Sequence, residues 1–365
     1  MARAVLEDAV SPFEPEDKSL VTILRKAEEQ VGFLDSNYAD HVIHSVYVYL
    51  LGVLWYSNSL VLQNEWLGYL RRSLGGDHSG SLEPTQWFHS LWAATARFHD
   101  LGYPPELWCR SIKSYFARML GGPLREESST RLTSAFERSA TNVPLPMQTP
   151  VHVSCSWSNV LSLLPIQDAG EYRVEDSLRR MSEHLSRMGV LPCEASRGES
   201  LLRDHIAWTF AEGIPDHGAV GALMLMRQIP IASACAPSIS LSLRTGIERV
   251  ATSLLLHNAY QHLWMQWVPR AQPLKRPDHP LAYMLVLTDH VQTWDRSLWH
   301  AGSDAMEDAQ ADVQNVSFHG DVLIVRCSDS NASRRLRDSL SSVLSLGYVQ
   351  VDPHPDSHSA DRVKA

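Results

Sequence analysis

The stretch Ala96-Arg97-Phe98-His99-Asp100-Leu101-Gly102-Tyr103-Pro104 decides how the rest of the chain is read. An apolar helical run closes on a histidine and an aspartate side by side, and Gly-Tyr-Pro-Pro then breaks the helix. Pro84 fits the first turn of the same helix. Termination there leaves His99 and Asp100 at a helix end, where two metal-type side chains can meet partners from other helices.

Working outward, such partners recur at helical spacing. Asp35, Ser36 and Asn37 suit a cap for a helix running to about Tyr56, and on it His41 and His44 share a face, three residues apart. Past the pair, 107–120 is helical by pattern and Gly121-Gly122-Pro123 stops it. Pro215 or Asp216 opens a helix containing His217 and a run of small residues that permits close packing. A helix from about 240 or 245 to 267 carries His257, and 280–299 carries Asp289, Gln292 and Arg296. The stretch 57–74 receives no assignment.

Between about 125 and 200 the signal weakens in a Ser- and Thr-rich segment with four prolines, and short helices fit at 130–139 and 174–188. We read this segment as an insertion or lid, since such segments commonly carry specificity over a rigid scaffold. After 300 the pattern changes. Val316-Ser317-Phe318, a turn at His319-Gly320-Asp321 and Val322-Leu323-Ile324-Val325 predict a β-hairpin, 332–346 a helix and 347–351 a returning strand. The expected organisation is a helical extension at 1–34 and a mainly α domain at 35–300 with the inserted segment. A small α/β appendage follows at 311–352, and a frayed tail at 353–365.

Composition narrows the function classes. The 365 residues suffice for one large domain with an appendage, and 44% hydrophobic with 20% charged residues argues against wholesale disorder. A net charge of −9 disfavours an extended nucleic-acid surface. The five cysteines are scattered without CxxC spacing, as suits a reducing cytosol. The acidic N-terminus lacks a signal-peptide pattern, and the longest apolar run, 46–56, falls well short of the roughly 20 residues a bilayer span needs. A cytoplasmic protein without membrane contact is therefore expected. Trp55, Trp87, Trp92, Trp264, Trp267, Trp294 and Trp299 fall on predicted helices, where packing is their first role.

In chain order the candidates are His44, His99-Asp100, His217, His257 and Asp289. Imidazole and carboxylate together suit a divalent cation such as Mn, Fe, Zn, Co or Ni. This order resembles the HD superfamily of metal-dependent phosphohydrolases: an early His, an adjacent His-Asp and a late Asp, with extra histidines in two-metal members. The matching pieces span roughly 35–299: His41-Val-Ile-His44-Ser45, Phe98-His99-Asp100-Leu101-Gly102, His217-Gly218-Ala219-Val220-Gly221-Ala222, Leu256-His257-Asn258 and Leu287-Thr288-Asp289. The chain departs from the HD-GYP branch, carrying His257-Asn258 where that branch pairs histidines, and placing Gly-Tyr-Pro directly after the His-Asp pair.

The resemblance implies one or two divalent ions, Mg included, with His44, His99, Asp100 and Asp289 on the first. His217 and His257 would add a second, with Asp100 bridging. It implies hydrolysis of a phosphoester in a nucleotide or other small phosphorylated molecule, with Asp100 in the catalytic machinery. By spacing, Gln292 and Arg296 share Asp289's helix face and could meet a phosphate, Arg296 alternatively forming an ordinary salt bridge, and His41, one turn before His44, could orient water or substrate or support a ligand by a hydrogen bond. The alternative is a regulatory protein that binds a metal or nucleotide in an HD fold without turnover.

Overall fold

The computed structural model describes residues 41–74, 83–100, 102, 173–191, 193–211, 215–227, 229, 241–259, 272–291 and 313–353. Nine helices and one three-stranded sheet stand among them, so the chain is mainly α with a small C-terminal α/β appendage. The helices are α1 (His41–Asn58), α2 (Leu60–Leu74), α3 (Pro84–Phe98), α4 (Val174–Arg187), α5 (Ala195–Ala211), α6 (His217–Met226), α7 (Leu241–Ala259) and α8 (Pro280–Val291), with α9 (Ser330–Val343) in the appendage. No single described helix is long and apolar enough to cross a membrane. The expected helices at 107–120 and 130–139 lie outside the described residues.

Helix α8 is the centre of the body. Every side chain from Leu281 to Thr288 is buried, as expected of a helix apolar on all sides that packs against α1, α2, α3 and α7. Around it, α3 has Pro at its first position and buries Trp87, Phe88, Leu91, Trp92, Thr95 and Phe98 at helical spacing. The Phe88 ring stacks on Tyr56 of α1 with centroids 3.7 Å apart, and the Trp92 indole N–H donates to the Tyr49 carbonyl at 2.9 Å. Trp55, Trp87 and Trp92 are core residues; Trp264, Trp267, Trp294 and Trp299 lie outside the described residues.

Helix α2, left unassigned by sequence, buries Leu62, Trp66, Tyr69 and Leu70. Two caps start it: the Leu62 N–H donates to Ser59 Oγ at 3.0 Å, and the Val61 N–H donates to Asp321 Oδ1 at 3.0 Å. The later part of the low-signal stretch also joins the common core, through Val174, Leu178, Met181 and Leu185 of α4 packed beside α5 and α7. The earlier part of that stretch, including 125–172, lies outside the described residues.

In the appendage, β1 (Val313–His319) pairs antiparallel with β2 (Val322–Cys327), and β3 (Val349–Pro353) joins β2 in parallel after the α9 crossover. Val316, Val325 and Val351 stand in one register row and Phe318, Leu323 and Val349 in another. Pairing also ties this unit to the body: the Leu274 N–H donates to the Val343 carbonyl at 2.8 Å, and the Tyr283 hydroxyl of α8 donates to the Ser345 carbonyl at 2.7 Å. Asp321 at the β1–β2 turn accepts from Ser59 Oγ at 2.9 Å, beside its bond to Val61.

Candidate metal centre

Five helices bring side chains together at one place. His44 lies in the first turn of α1, His99 caps the C-terminus of α3 with Asp100 next to it, and His217 opens α6. His257 and Asp289 sit in the last turns of α7 and α8. The end of α3 is C-terminal, and the partial negative charge of its last carbonyls favours a cation.

All six side chains converge in two trios. His44, His99 and Asp289 form one and Asp100, His217 and His257 the other, with the ligand atoms of each trio within 4.8 Å of one another. Bonds of about 2.0–2.2 Å would place opposed ligands some 4.4 Å apart at most, so a slight contraction closes either trio on one ion. The division differs from the four-plus-two arrangement that the resemblance implies. His99 and Asp100, neighbours at the end of α3 where the backbone stays helical at His99 (φ −61°, ψ −33°), fall in different trios while still approaching each other.

Both carboxylates span the two groups. Asp289 Oδ1 is 2.8 Å from His44 Nε2 while its Oδ2 is 3.6 Å from His257 Nε2. Asp100 Oδ2 is 3.1 Å from His99 Nε2 while its Oδ1 is 3.9 Å from His217 Nε2. The His44 and His99 rings lie 5.1 Å apart between centroids, and so do those of His217 and His257.

The protonation pattern fits a cation. His99 Nδ1 contacts the Ala96 carbonyl at 2.8 Å; a carbonyl only accepts, so Nδ1 carries the proton and Nε2 keeps its lone pair toward the cluster. That Nε2 is buried and makes no hydrogen bond, although Asp100 Oδ2 stands near. Two acceptors facing each other call for a positive charge between them, a proton or a metal. Burial lowers the His99 pKa, but the Asp100 and Asp289 carboxylates outweigh it and the net shift is upward. His257, whose Nδ1 is also buried without a hydrogen bond, is shifted downward by burial, with Asp289 opposing. An unmet buried polar atom costs about 1–3 kcal/mol, which ligation would relieve.

His41 opens α1 one turn before His44, but its side chain is outside the described set; Arg296 and Gln292 lie outside the described residues. Two side chains that sequence reading left aside belong to this region. Asp216 caps α6, accepting from the Ala219 N–H at 2.9 Å, and His205 of α5 bonds its other oxygen at 2.7 Å. Asp216 was legible as a helix start; its bond to His205 had no local signal.

Two glycines let the backbones meet here. A Cβ on Gly102 would stand 2.0 Å from the His217 carbonyl oxygen and 2.6 Å from the Gly221 nitrogen, and one on Gly218 would stand 2.4 Å from the Leu254 carbonyl oxygen. Replacing Gly102 with alanine should push α6 away from Asp100. The expected cost is at or above the usual 1–3 kcal/mol of overpacking, read as a lower urea midpoint together with weaker metal retention. An unchanged midpoint and metal content would show that the approach is slack.

Fold and site together define a helical protein whose buried histidine and aspartate groups could hold a divalent metal, an arrangement compatible with an HD-like fold. Comparison with protein-family models, with curated proteins and with solved structures finds no match.

Proposed function

We propose that the chain is an HD-type metal-dependent phosphohydrolase acting on a phosphoester of a nucleotide or other small phosphorylated molecule. One observation carries the reading: two His/Asp trios share two carboxylates, each with an oxygen turned to either group. A divalent ion bound there supplies a water of lowered pKa and charge stabilisation of phosphoryl oxygens. The chain's own residues do the rest. His44, His99 and Asp289 hold one position, His217 and His257 the other, and Asp100 joins them. The buried Nδ1–H bond of His99 fixes its tautomer and keeps its basic nitrogen aimed inward. Gln292 and Arg296, three and seven residues beyond Asp289, are assigned to a phosphate oxygen, and His41 to the attacking water or the substrate.

The test is metal content of the purified chain, measured with turnover on phosphomonoesters, nucleotides and cyclic nucleotides. Retained metal and chelator-sensitive release of phosphate or opening of a diester are expected. Metal retention without turnover would transfer the chain to the regulatory binding class, and neither metal nor turnover would end the reading.

A further inference from the structure

The two trios are not built alike. His44, His99, His257 and Asp289 stand on or at the ends of helices whose buried faces fix them in the core. His217 differs in place: it is the first residue of a ten-residue helix that is buried from Gly218 to Leu223, and the cap on that first turn is Asp216. The carboxylate of Asp216 is itself held from α5. His205 Nε2–H donates to Oδ2 at 2.7 Å, and the Asp216 N–H reaches Thr209 Oγ1 at 3.4 Å. Oδ1 accepts from the Ala219 N–H at 2.9 Å, closing the cap on α6. His205 and Asp216 are both buried, while His217 is partly open. Gly102 and Gly218 press on the same turn from the His-Asp corner and from α7, so α6 has one seat and the His205–Asp216 bond fastens it there.

We infer that His205 and Asp216 are a positioning pair that seats His217, so that the second trio keeps its ion only while their bond stands. The inference rests on the metal-dependent reading above. Asp216 spends its oxygens on His205 and Ala219, and the pair acts through the backbone of its neighbour. Outer partners of this kind commonly tune metal affinity by about 10–100-fold.

Titration of the metal-free chain with Mn2+, with free ion counted by electron paramagnetic resonance, tests it. The wild type should take up two ions. His205→Ala should keep the first ion and weaken the second by about 10–100-fold, with helical circular dichroism unchanged. His205→Gln, whose side-chain N–H can still donate to Asp216, should recover most of that loss. Should His205→Ala not fold, Asp216→Asn serves instead: it retains the acceptor for Ala219 but sets an amide against His205, and should weaken the second ion alone. Two ions held at wild-type affinity by these variants would overturn the inference and leave the metal-dependent reading intact. So would equal loss of both ions without recovery in the glutamine variant, since that is a general structural defect. A wild type that binds no Mn2+ overturns the metal-dependent reading and this inference with it.

Discussion

Asp100→Asn should lower turnover on the order of 10³-fold or more and strip metal from both trios, beyond the 10–100-fold that outer partners cost. The reason is position. Asp100 has one oxygen 3.1 Å from His99 Nε2 and the other 3.9 Å from His217 Nε2, so a single side chain serves two groups. Asparagine keeps the shape but removes the charge and one of the two acceptors. His217→Ala, by contrast, removes a ligand from the second trio only and should leave one ion in place. The metal-free stability of Asp100→Asn should hold or rise, because its amide N–H can donate to the unmet His99 Nε2. Elemental analysis of the dialysed protein, turnover and urea unfolding check the three parts. An Asp100→Asn protein with full metal content and full turnover would remove Asp100 from the centre of the site.

That pattern marks where sequence reading stops. The His-Asp pair was legible because a proline-started apolar helix breaks directly after it, and the helices bearing His44, His217, His257 and Asp289 followed from caps and apolar spacing. Which carboxylate serves which histidines was not legible, since it depends on how five helices rotate about one point. Helix α2 escaped notice for a related reason. Part of its cap comes from Asp321, 260 positions beyond Val61, although the Ser59 cap was a local sign that could have been read. Helix α4 was legible at 174–188 within the low-signal stretch, and Val174, Leu178, Met181 and Leu185 form the apolar part of its buried face. His205 and Asp216, eleven residues apart, carry no spacing rule at all.

The other large effect concerns histidines away from the site, and it sets how the protein responds to acid. His279, Tyr69 of α2, His184 of α4 and Thr252 of α7 form one buried network beside Arg249. The Ala282 N–H donates to His279 Nδ1 at 3.3 Å, so Nε2 carries the proton and donates to Thr252 Oγ1 at 3.3 Å. The Tyr69 hydroxyl is then free to donate to His184 Nε2 at 3.3 Å. Neutral histidines complete this network, and a proton on either would stand near the buried Arg249 guanidinium, which caps the α2 end through the Ser73 carbonyl. Burial first and Arg249 second push His279 down to about 3; burial, then His279, Arg249 and Arg187, hold His184 well below its usual range. The unfolded chain protonates both near pH 6.5 while the folded chain does not, so stability falls as pH falls from about 6.5 toward 3. His279 contributes a slope of about 1.4 kcal/mol per pH unit in that window, a large part of a typical margin of about 5–15 kcal/mol, and His184 adds in the same direction. Asp216, held low by His205 despite its burial, adds its loss only below the usual carboxylate range. Urea unfolding of wild type and His279→Asn at pH 7.5, 6.0 and 5.0 isolates the effect, because the asparagine oxygen can accept from Ala282 but takes up no proton. The wild type should lose stability more steeply than the variant by one proton's slope. Parallel pH dependences would mean that His279 is protonated in the folded chain and that Arg249 has its charge offset by something other than this neutral network.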